Sequence, residues 1–430
     1  MRRVLFLAYL FPPIVNSGTR RSLSFANRLP ESGWQPLVLS GQPDADADAA
    51  LLAEIRPGTQ VERLPLLSHR RAAAAARWLP ARWRRRVAEG LAWRLQQRAT
   101  VPDEVAGWVA PAVERALALH RSQGFDAVYA SGWPWSGFLA AQAVAERTGV
   151  PYLLDYRDCW IPGGDHAWEQ ITAEQRARNP ALQLAVTRGA ASLITTTQTF
   201  ARTIGQQLGR EDLHVIPNGF EPGDFTGLAP RIADGFWRIA YTGVWRPGYG
   251  LQDLYGAIAR LRDAGHPGLH RLRVDAAGFA KGAAREFGVE PWVEEHGPVP
   301  HQQAVALMSR ADVLYLPLPE GYQGRAALAG KHFEYLGSGR PILTSAWADS
   351  ETARLSNEVG GGHRLDPGDV VALAELLARC LEAGSTGLDA SLFPPIRHDR
   401  LAQYTREATS RRLAGLLDAA VQGHRAGAAR

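Results

Sequence analysis

Short apolar runs alternate with amphipathic stretches along almost the whole chain, and this alternation limits the possible folds more than any other feature. "RRVLFLAYL", "WQPLVLS", "FDAVYAS", "PYLLDY", "ASLITTT" and "LHVIPN" read as strands. Between them "TRRSLSFANRL", "EVAGWVAPAVERALALH", "GFLAAQAVAERTG" and the stretch from Phe200 to Leu208 read as helices. A second series opens at "WRIAYTGV". It continues through helix "LQDLYGAIARLRDAG", strand "LRVDAAG", helix "HQQAVALMSRA" and strand "DVLYLPL". A helix within "GRAALAGKHFEYLGSG", strand "RPILTS" and helix "VVALAELLARCLEAG" complete it. Strands that alternate with helices need right-handed crossovers and lie parallel, so the pattern predicts α/β architecture with two doubly wound domains. A chain of 430 residues is also too long for one ordinary core. The glycine-, proline- and aspartate-rich stretch "NGFEPGDFTGLAPRIADGF" marks the boundary between the two series.

No run of about 18 uncharged apolar residues occurs, so no transmembrane helix is expected. The opening "MRRVLFLAYLFPP" has a short apolar run that turns to proline, which suits a buried first strand better than a signal peptide. Cys159 and Cys380 are too few for a disulfide framework and favour a reducing cytoplasm. The net charge of +5 is modest but unevenly spread. From Ser68 to Arg98 nine arginines face one acidic residue, Glu89, which leaves the rest of the chain slightly acidic. Trp83, Val87, Leu91 and Leu95 recur every four residues there, on one face of a helix ringed by arginines. Two readings stay open: a helix on an anionic membrane surface at the inner face of the membrane, or a helix packed on its domain with solvated arginines. No recognition helix or RNA-binding signature accompanies the charge, so nucleic acid is not an expected partner. "DADADAA" contains Asp-x-Asp, but its polar setting past the second strand reads as a solvated loop.

Candidate site residues gather at predicted strand ends, where doubly wound sheets bind ligands. After the first strand, a loop ends in Gly18, and Arg20 and Arg21 enter the first turn of the next helix. Cations there oppose the helix dipole unless an anion answers them. After "PYLLDY" come Asp155, Arg157 and Asp158; Asp158 could hold an acceptor hydroxyl, and Asp155 could pair with Arg157. After "WRIAYTGV" come Gly243 and Arg246, the latter where a phosphate clamp would be placed. The glycines of "WRPGYGLQD" do not complete a dinucleotide fingerprint, because Asp253 takes the third place.

The stretch "GKHFEYLGSGRPIL" carries the most information. The chain has 46 arginines and only two lysines, Lys281 and Lys331. Lys331 is a compact point charge suited to phosphate oxygens. Glu334, one turn later, can accept hydrogen bonds from both vicinal hydroxyls of a ribose. A plain i,i+3 surface pair is the simpler alternative.

With these motifs in order ("LFLAYLFPP…SGTRR", "DYRDCW", "VIPNGFEPGDF", "YTGVWRPG" and above all "GKHFEYLGSGRPIL"), the chain resembles the family 4 glycosyltransferases of the "GK-x-FEYL" type. The resemblance implies the GT-B fold: two doubly wound Rossmann-like domains with a cleft between them. It places an acceptor-binding domain at residues 1–228, a nucleotide-sugar-binding domain at 229–396, and a C-terminal helix crossing back to the first domain at 397–430. It implies a retaining, metal-independent transferase with no cofactor. The nucleotide-sugar donor is a co-substrate, and a glycan or lipid-linked molecule is the acceptor, in cell-surface polysaccharide or glycolipid synthesis. By the same resemblance Glu334 is the ribose ligand, Arg246 and Lys331 contact the diphosphate, Gly18 faces the donor, and "EEHGPVP" around Gly297 reads the base. The family's second glutamate, eight residues before the ribose ligand, is here Ala326. A nucleotide-sugar epimerase of the same fold and a non-catalytic nucleotide-sugar binder are the rival readings.

The basic segment yields a test. If it docks on membranes, replacing Arg84, Arg85 and Arg86 with glutamine should weaken binding to anionic vesicles, each arginine being worth on the order of 1 kcal/mol at such a surface. Sedimentation with vesicles at low and high salt checks this. Equal binding by parent and variant at low salt would leave a solvated helix.

Overall fold

The computed structural model describes residues 1–43, 47–67, 75–76, 87, 91, 101–161, 171–227, 234–243, 250–319, 321–383 and 392–428. Most of the basic segment, with Trp83, Arg84, Arg85 and Arg86, lies outside the described residues, as does Arg246. The chain divides into two compact units, one of residues Met1–Pro217 with Arg406–Arg430, the other of Asn218–Thr405.

The first unit runs β1 (Arg2–Leu7), α1 (Ser17–Arg28), β2 (Trp34–Gly41), β3 (Gln60–Leu64), α2 (Val109–Gln123), β4 (Ala127–Gly132), α3 (Ser136–Thr148) and β5 (Tyr152–Tyr156). It continues with α4 (Ala173–Arg188), β6 (Ser192–Thr195), α5 (Gln198–Leu208) and β7 (Leu213–Val215). All seven strands are parallel, in the order β3-β2-β1-β4-β5-β6-β7. Val4 to Leu7 of β1 are fully buried, because a central parallel strand is covered on both faces.

The second unit runs β8 (Trp237–Thr242), α6 (Leu251–Asp263), β9 (Leu272–Ala277), α7 (Ala283–Glu286), β10 (Val293–Gly297), α8 (His301–Arg310) and β11 (Val313–Pro317). Then follow α9 (Gly321–Ala326), α10 (Gly330–Gly337), β12 (Ile342–Ser345), α11 (Glu351–Val359), β13 (Gly362–Leu365), α12 (Val370–Ala383) and α13 (His398–Leu401). Its six parallel strands are ordered β10-β9-β8-β11-β12-β13. In each sheet the order reverses direction beside the unit's first strand, which is where doubly wound sheets bind ligands at their carboxyl ends. For the second unit that point lies between β8 and β11.

The last helix, α14 (Arg406–Ala428), packs into the first unit: Leu413, Leu417 and Val421 join Val4, Phe6 and Leu29 in one core. Asp418 accepts hydrogen bonds from Arg2 at 2.6 Å and from Trp34 Nε1 at 3.1 Å. Both unit boundaries differ from the sequence expectation, for packing reasons. Phe220 is buried in a core with Phe333, Leu336 and Leu401, so the second unit starts at Asn218 rather than after 228. Leu401 belongs to that same core, and Tyr404 lies 5.6 Å from the Phe333 ring, so the returning helix starts at Arg406 rather than 397.

A buried ion pair organises the first unit. Arg21 of α1 grips Asp155 of β5 with two bonds, Nε to Oδ2 at 2.8 Å and Nη2 to Oδ1 at 2.9 Å, and Nη1 donates to Pro217 O at 3.0 Å. Tyr129 of β4 donates its hydroxyl to the same carboxylate. The two charged side chains are 4% and 0% exposed, so neither can fall back on water. Breaking such a pair by removing one charge costs about 3–5 kcal/mol, because the other is left buried and unpaired. Asp155→Asn should therefore lower the stability of the first unit by about that much, while Arg21→Met with Asp155→Leu should cost less than the single change. Urea unfolding followed by tryptophan fluorescence compares the two.

Candidate functional site

The second unit's site is built around the carboxyl end of β8. Thr242, its last residue, donates its backbone N–H to the Tyr335 hydroxyl at 2.8 Å, and that hydroxyl lies 3.3 Å from Thr242 O as a donor. Tyr335 is fully buried on α10, so this clasp fixes α10 against the strand end. One turn earlier on the same helix, Lys331 reaches Tyr241 of β8. Its Nζ donates to the Tyr241 hydroxyl at 3.1 Å and lies 4.2 Å from the centre of that ring. Burial pulls the Lys331 ammonium down to about 7, with the negative charge of Glu334 acting in the opposite direction. His332 beside it is fully buried and stays neutral, its basicity pushed down to about 3 by loss of water. Glu334 is half-buried on the next turn.

Gly243 follows β8 and passes directly under Lys331: a Cβ there would lie 3.1 Å from Nζ, and its φ of +140° suits glycine. Its N–H donates to Ala277 O at 2.9 Å, and Gly278 N donates to Gly297 O at 2.8 Å. Gly278 lies so close to Gly243 that a Cβ would meet Gly243 O at 2.6 Å. Three glycines from three neighbouring strand ends thus make a surface of bare backbone. Gly297 lies beside Lys281, whose Cε would be 3.6 Å from an added Cβ. Both lysines of the chain therefore stand at this one rim. The scarcity of lysine in the sequence marks Lys281 as much as Lys331.

Chemically, a backbone-lined surface with a partly dehydrated ammonium above it can take closely approaching anionic oxygens, and a carboxylate one turn further can take hydroxyls. A small concavity at the ends of β11 to β13 has the opposite character. Asp253, Asp366 and Asp369 line it, and three carboxylates repel a phosphate. Among the described residues, Asp275, Glu294 and His296 form the group able to hold a metal ion. His296 Nε2 lies 2.7 Å from Asp275 Oδ1, while Nδ1 lies 3.7 Å from Glu294 Oε1. The two carboxylates thus address opposite nitrogens of one ring.

In the first unit, Gly18 opens α1, its N–H held by the Asn16 side chain at 2.9 Å. A Cβ on Gly18 would run into the Arg157 guanidinium, so glycine is needed for that close approach. Arg157 donates to Gly132 O at 2.9 Å and to Trp133 O. The Asp155–Arg157 pair considered from sequence is replaced by Asp155–Arg21, because the Arg157 fork is turned toward the end of β4. Arg20 pairs with Glu54, so protein carboxylates answer both arginines of the first helical turn. Asp158 is exposed, next to Gly18's neighbour Arg157. The structure brings Gly18, Arg157 and Asp158 together at the strand ends of the first unit, and Gly243, Gly297, Lys331 and Glu334 together at those of the second.

Residues 18–219 match the family model described as the Glycosyl transferase 4-like domain. No curated protein matches the chain by sequence. Among solved structures, the chain resembles a sucrose-phosphate synthase from Thermosynechococcus elongatus, with TM-score 0.64, 15% identity and 97% and 98% of the two chains covered. It resembles the apo form of the lipopolysaccharide outer core galactosyltransferase WaaB with TM-score 0.56, 13% identity and 96% and 99% covered. A putative UDP-N-acetylglucosamine 2-epimerase from Listeria monocytogenes follows with TM-score 0.54, 11% identity and 96% and 94% covered. Likeness at this identity concerns the fold: the chain has the two-domain α/β GT-B fold, with one parallel doubly wound sheet in each unit.

Ala326, at the place of the resembling family's second glutamate, is 0% exposed on α9 and so belongs to the core. Ala326→Glu should therefore not create a sugar ligand. It should destabilise the protein by about 3 kcal/mol or more through a buried charge, read as a lower urea midpoint.

Proposed function

We propose that the protein is a glycosyltransferase that moves a sugar from a nucleotide-sugar donor to a glycan or lipid-linked acceptor. The observation that carries the reading is the pairing of Lys331 and Glu334 on one buried-faced helix above the backbone of Gly243. A diphosphate beside Lys331 and a ribose at Glu334 match the two side chains in charge and in hydrogen-bonding capacity. The match of residues 18–219 to a Glycosyl transferase 4-like domain supports transfer as the chemistry. In this reading the second unit binds the donor. Gly243 and Gly297 let backbone approach the diphosphate and the base, and Arg246 is a further diphosphate ligand. The first unit binds the acceptor around Gly18, Arg20 and Asp158.

As the glycosidic bond lengthens, negative charge grows on the leaving diphosphate. Lys331 stabilises that charge, and an ammonium poorly served by water does so more strongly than one in bulk solvent. Cationic side chains take the role a metal ion plays elsewhere, and the anomeric configuration is retained, as the resemblance implies. The basic Trp-bearing segment near residues 68–98 suits an acceptor carried by lipid, at the inner membrane face in polysaccharide or glycolipid synthesis. Among the described residues no helix is long and apolar enough to cross a membrane. One observation favours a second reading: the likeness to a putative epimerase is nearly as close as that to a galactosyltransferase, so fold alone does not separate transfer from epimerisation.

The test is incubation with a panel of nucleotide sugars and acceptors. Release of nucleoside diphosphate with sugar transfer supports the proposal; isomerised donor supports the epimerase; binding without reaction supports a non-catalytic binder. Glu334→Gln should weaken donor binding on the order of tenfold by titration calorimetry, since it loses charge-assisted bonds to ribose. Lys331→Ala should lower kcat on the order of 100-fold, and Lys331→Arg should not restore it, because a planar fork does not replace a point charge at close range.

A further inference from the structure

We propose that Tyr241 is the positioning residue of the donor site: its hydroxyl and ring hold the Lys331 ammonium over Gly243 and sustain its charge before a diphosphate arrives. The inference rests on the proposed donor role of Lys331. Tyr241 is fully buried, next to last on β8, so its ring cannot swing away. Phe279 meets it edge to face at 5.9 Å and fixes its plane. The Lys331 Nζ lies both within hydrogen-bond distance of the hydroxyl, 3.1 Å, and over the ring, 4.2 Å from its centre. A long lysine chain otherwise samples many rotamers, and a cation held on an aromatic face with one hydrogen bond loses most of them. That places the charge over Gly243, where an added Cβ would lie 3.1 Å from Nζ and only a glycine leaves the space open.

Two supports hold the charged form of Lys331 in a poorly hydrated place: the Tyr241 oxygen accepting a hydrogen bond, and the negative charge of Glu334 on its own helix. His332 is neutral and the Tyr335 hydroxyl is engaged with Thr242, so neither replaces them. Removing the Tyr241 oxygen therefore makes the ammonium easier to deprotonate. With Lys331 pulled down to about 7, this movement falls within the range of ordinary assays. Lys331 must be charged to meet a diphosphate, so donor use declines as pH rises through its titration. The alkaline limb of kcat/KM for the donor reports that titration in the free protein.

Tyr241→Phe keeps the buried ring and removes only the oxygen. The experiment has two arms. In the first, the unliganded protein is acetylated across a pH range and each lysine is followed by mass spectrometry. The chain has only Lys281 and Lys331, so Lys281 is an internal control. In Tyr241→Phe the Lys331 midpoint should move to lower pH by about half a unit to one unit, the worth of one hydrogen bond, with Lys281 unchanged. In the second arm, the alkaline limb of kcat/KM for a nucleotide sugar should move by the same amount. A merely structural tyrosine would change the rate at every pH without moving the limb. An unmoved Lys331 midpoint overturns the proposal. A moved midpoint in a protein whose parent uses no donor upholds the Tyr241–Lys331 coupling and overturns the glycosyltransferase reading instead.

Discussion

The site in the second unit depends on a phenol hydroxyl that serves both backbone groups of one residue. At the end of a parallel strand the last N–H and C=O lose their neighbours, and burying them unpaired would be costly. Tyr335 answers both groups of Thr242 from a neighbouring helix. The consequence is geometric. Once residue 335 is fixed, residue 331 lies one turn back on the same face, and Glu334 lies between them in sequence on the adjoining face. The lysine is thereby delivered to Tyr241, one residue before Thr242 on the strand. The "KHFEY" stretch works as a unit in which the outer residues, Lys331 and Tyr335, both address β8.

The first unit solves a different problem by a related device. Its α1 starts with two arginines, which oppose the helix dipole. One is drawn into the interior by Asp155 and Tyr129, the other is held at the surface by Glu54. The interior pair joins three elements, α1, β4 and β5, and also reaches the Pro217 carbonyl at the unit's limit. The guanidinium of Arg157, just after β5, lies against Gly18 in the first turn of α1 and donates to Gly132 O at the end of β4, so three elements meet at this one side chain. Around them Trp135 and Trp160 stack at 5.5 Å, and Phe138 packs on Tyr156 at 4.7 Å, which stiffens the ends of β4 and β5.

The central strands were legible because they are buried on both faces and so read as unbroken apolar runs. The strands that escaped are edges. β3 ("QVERL"), β10 ("VEEHG") and β13 ("GHRL") flank their sheets, and their charged residues erase the apolar signal. Helix α4 was missed for a comparable reason: "AEQRARNPALQLAVTR" carries little apolar periodicity and a proline inside, and its start is set by the Thr172–Gln175 capping box. At the candidate site, Lys331 and Glu334 could be picked out because their types are unusual in their setting. Tyr241 could not, since an aromatic residue in a strand reads simply as core. Spacing along the chain also suggested Asp155 with Arg157, whereas the partner came from a helix 134 residues away.

The return of α14 to the first unit has a consequence for how the chain is made. The second unit, residues 218–405, is an insertion within the first, because the first unit's core includes Leu413, Leu417 and Val421. During synthesis every strand of the first unit emerges before the second unit, but the face of its sheet that α14 covers stays open until α14 itself has left the ribosome. The inserted unit has all its parts earlier and can complete its core first. Arg2 and Asp418, separated by nearly the whole sequence, then meet to close the first unit. The domain that begins first is therefore the one that finishes last.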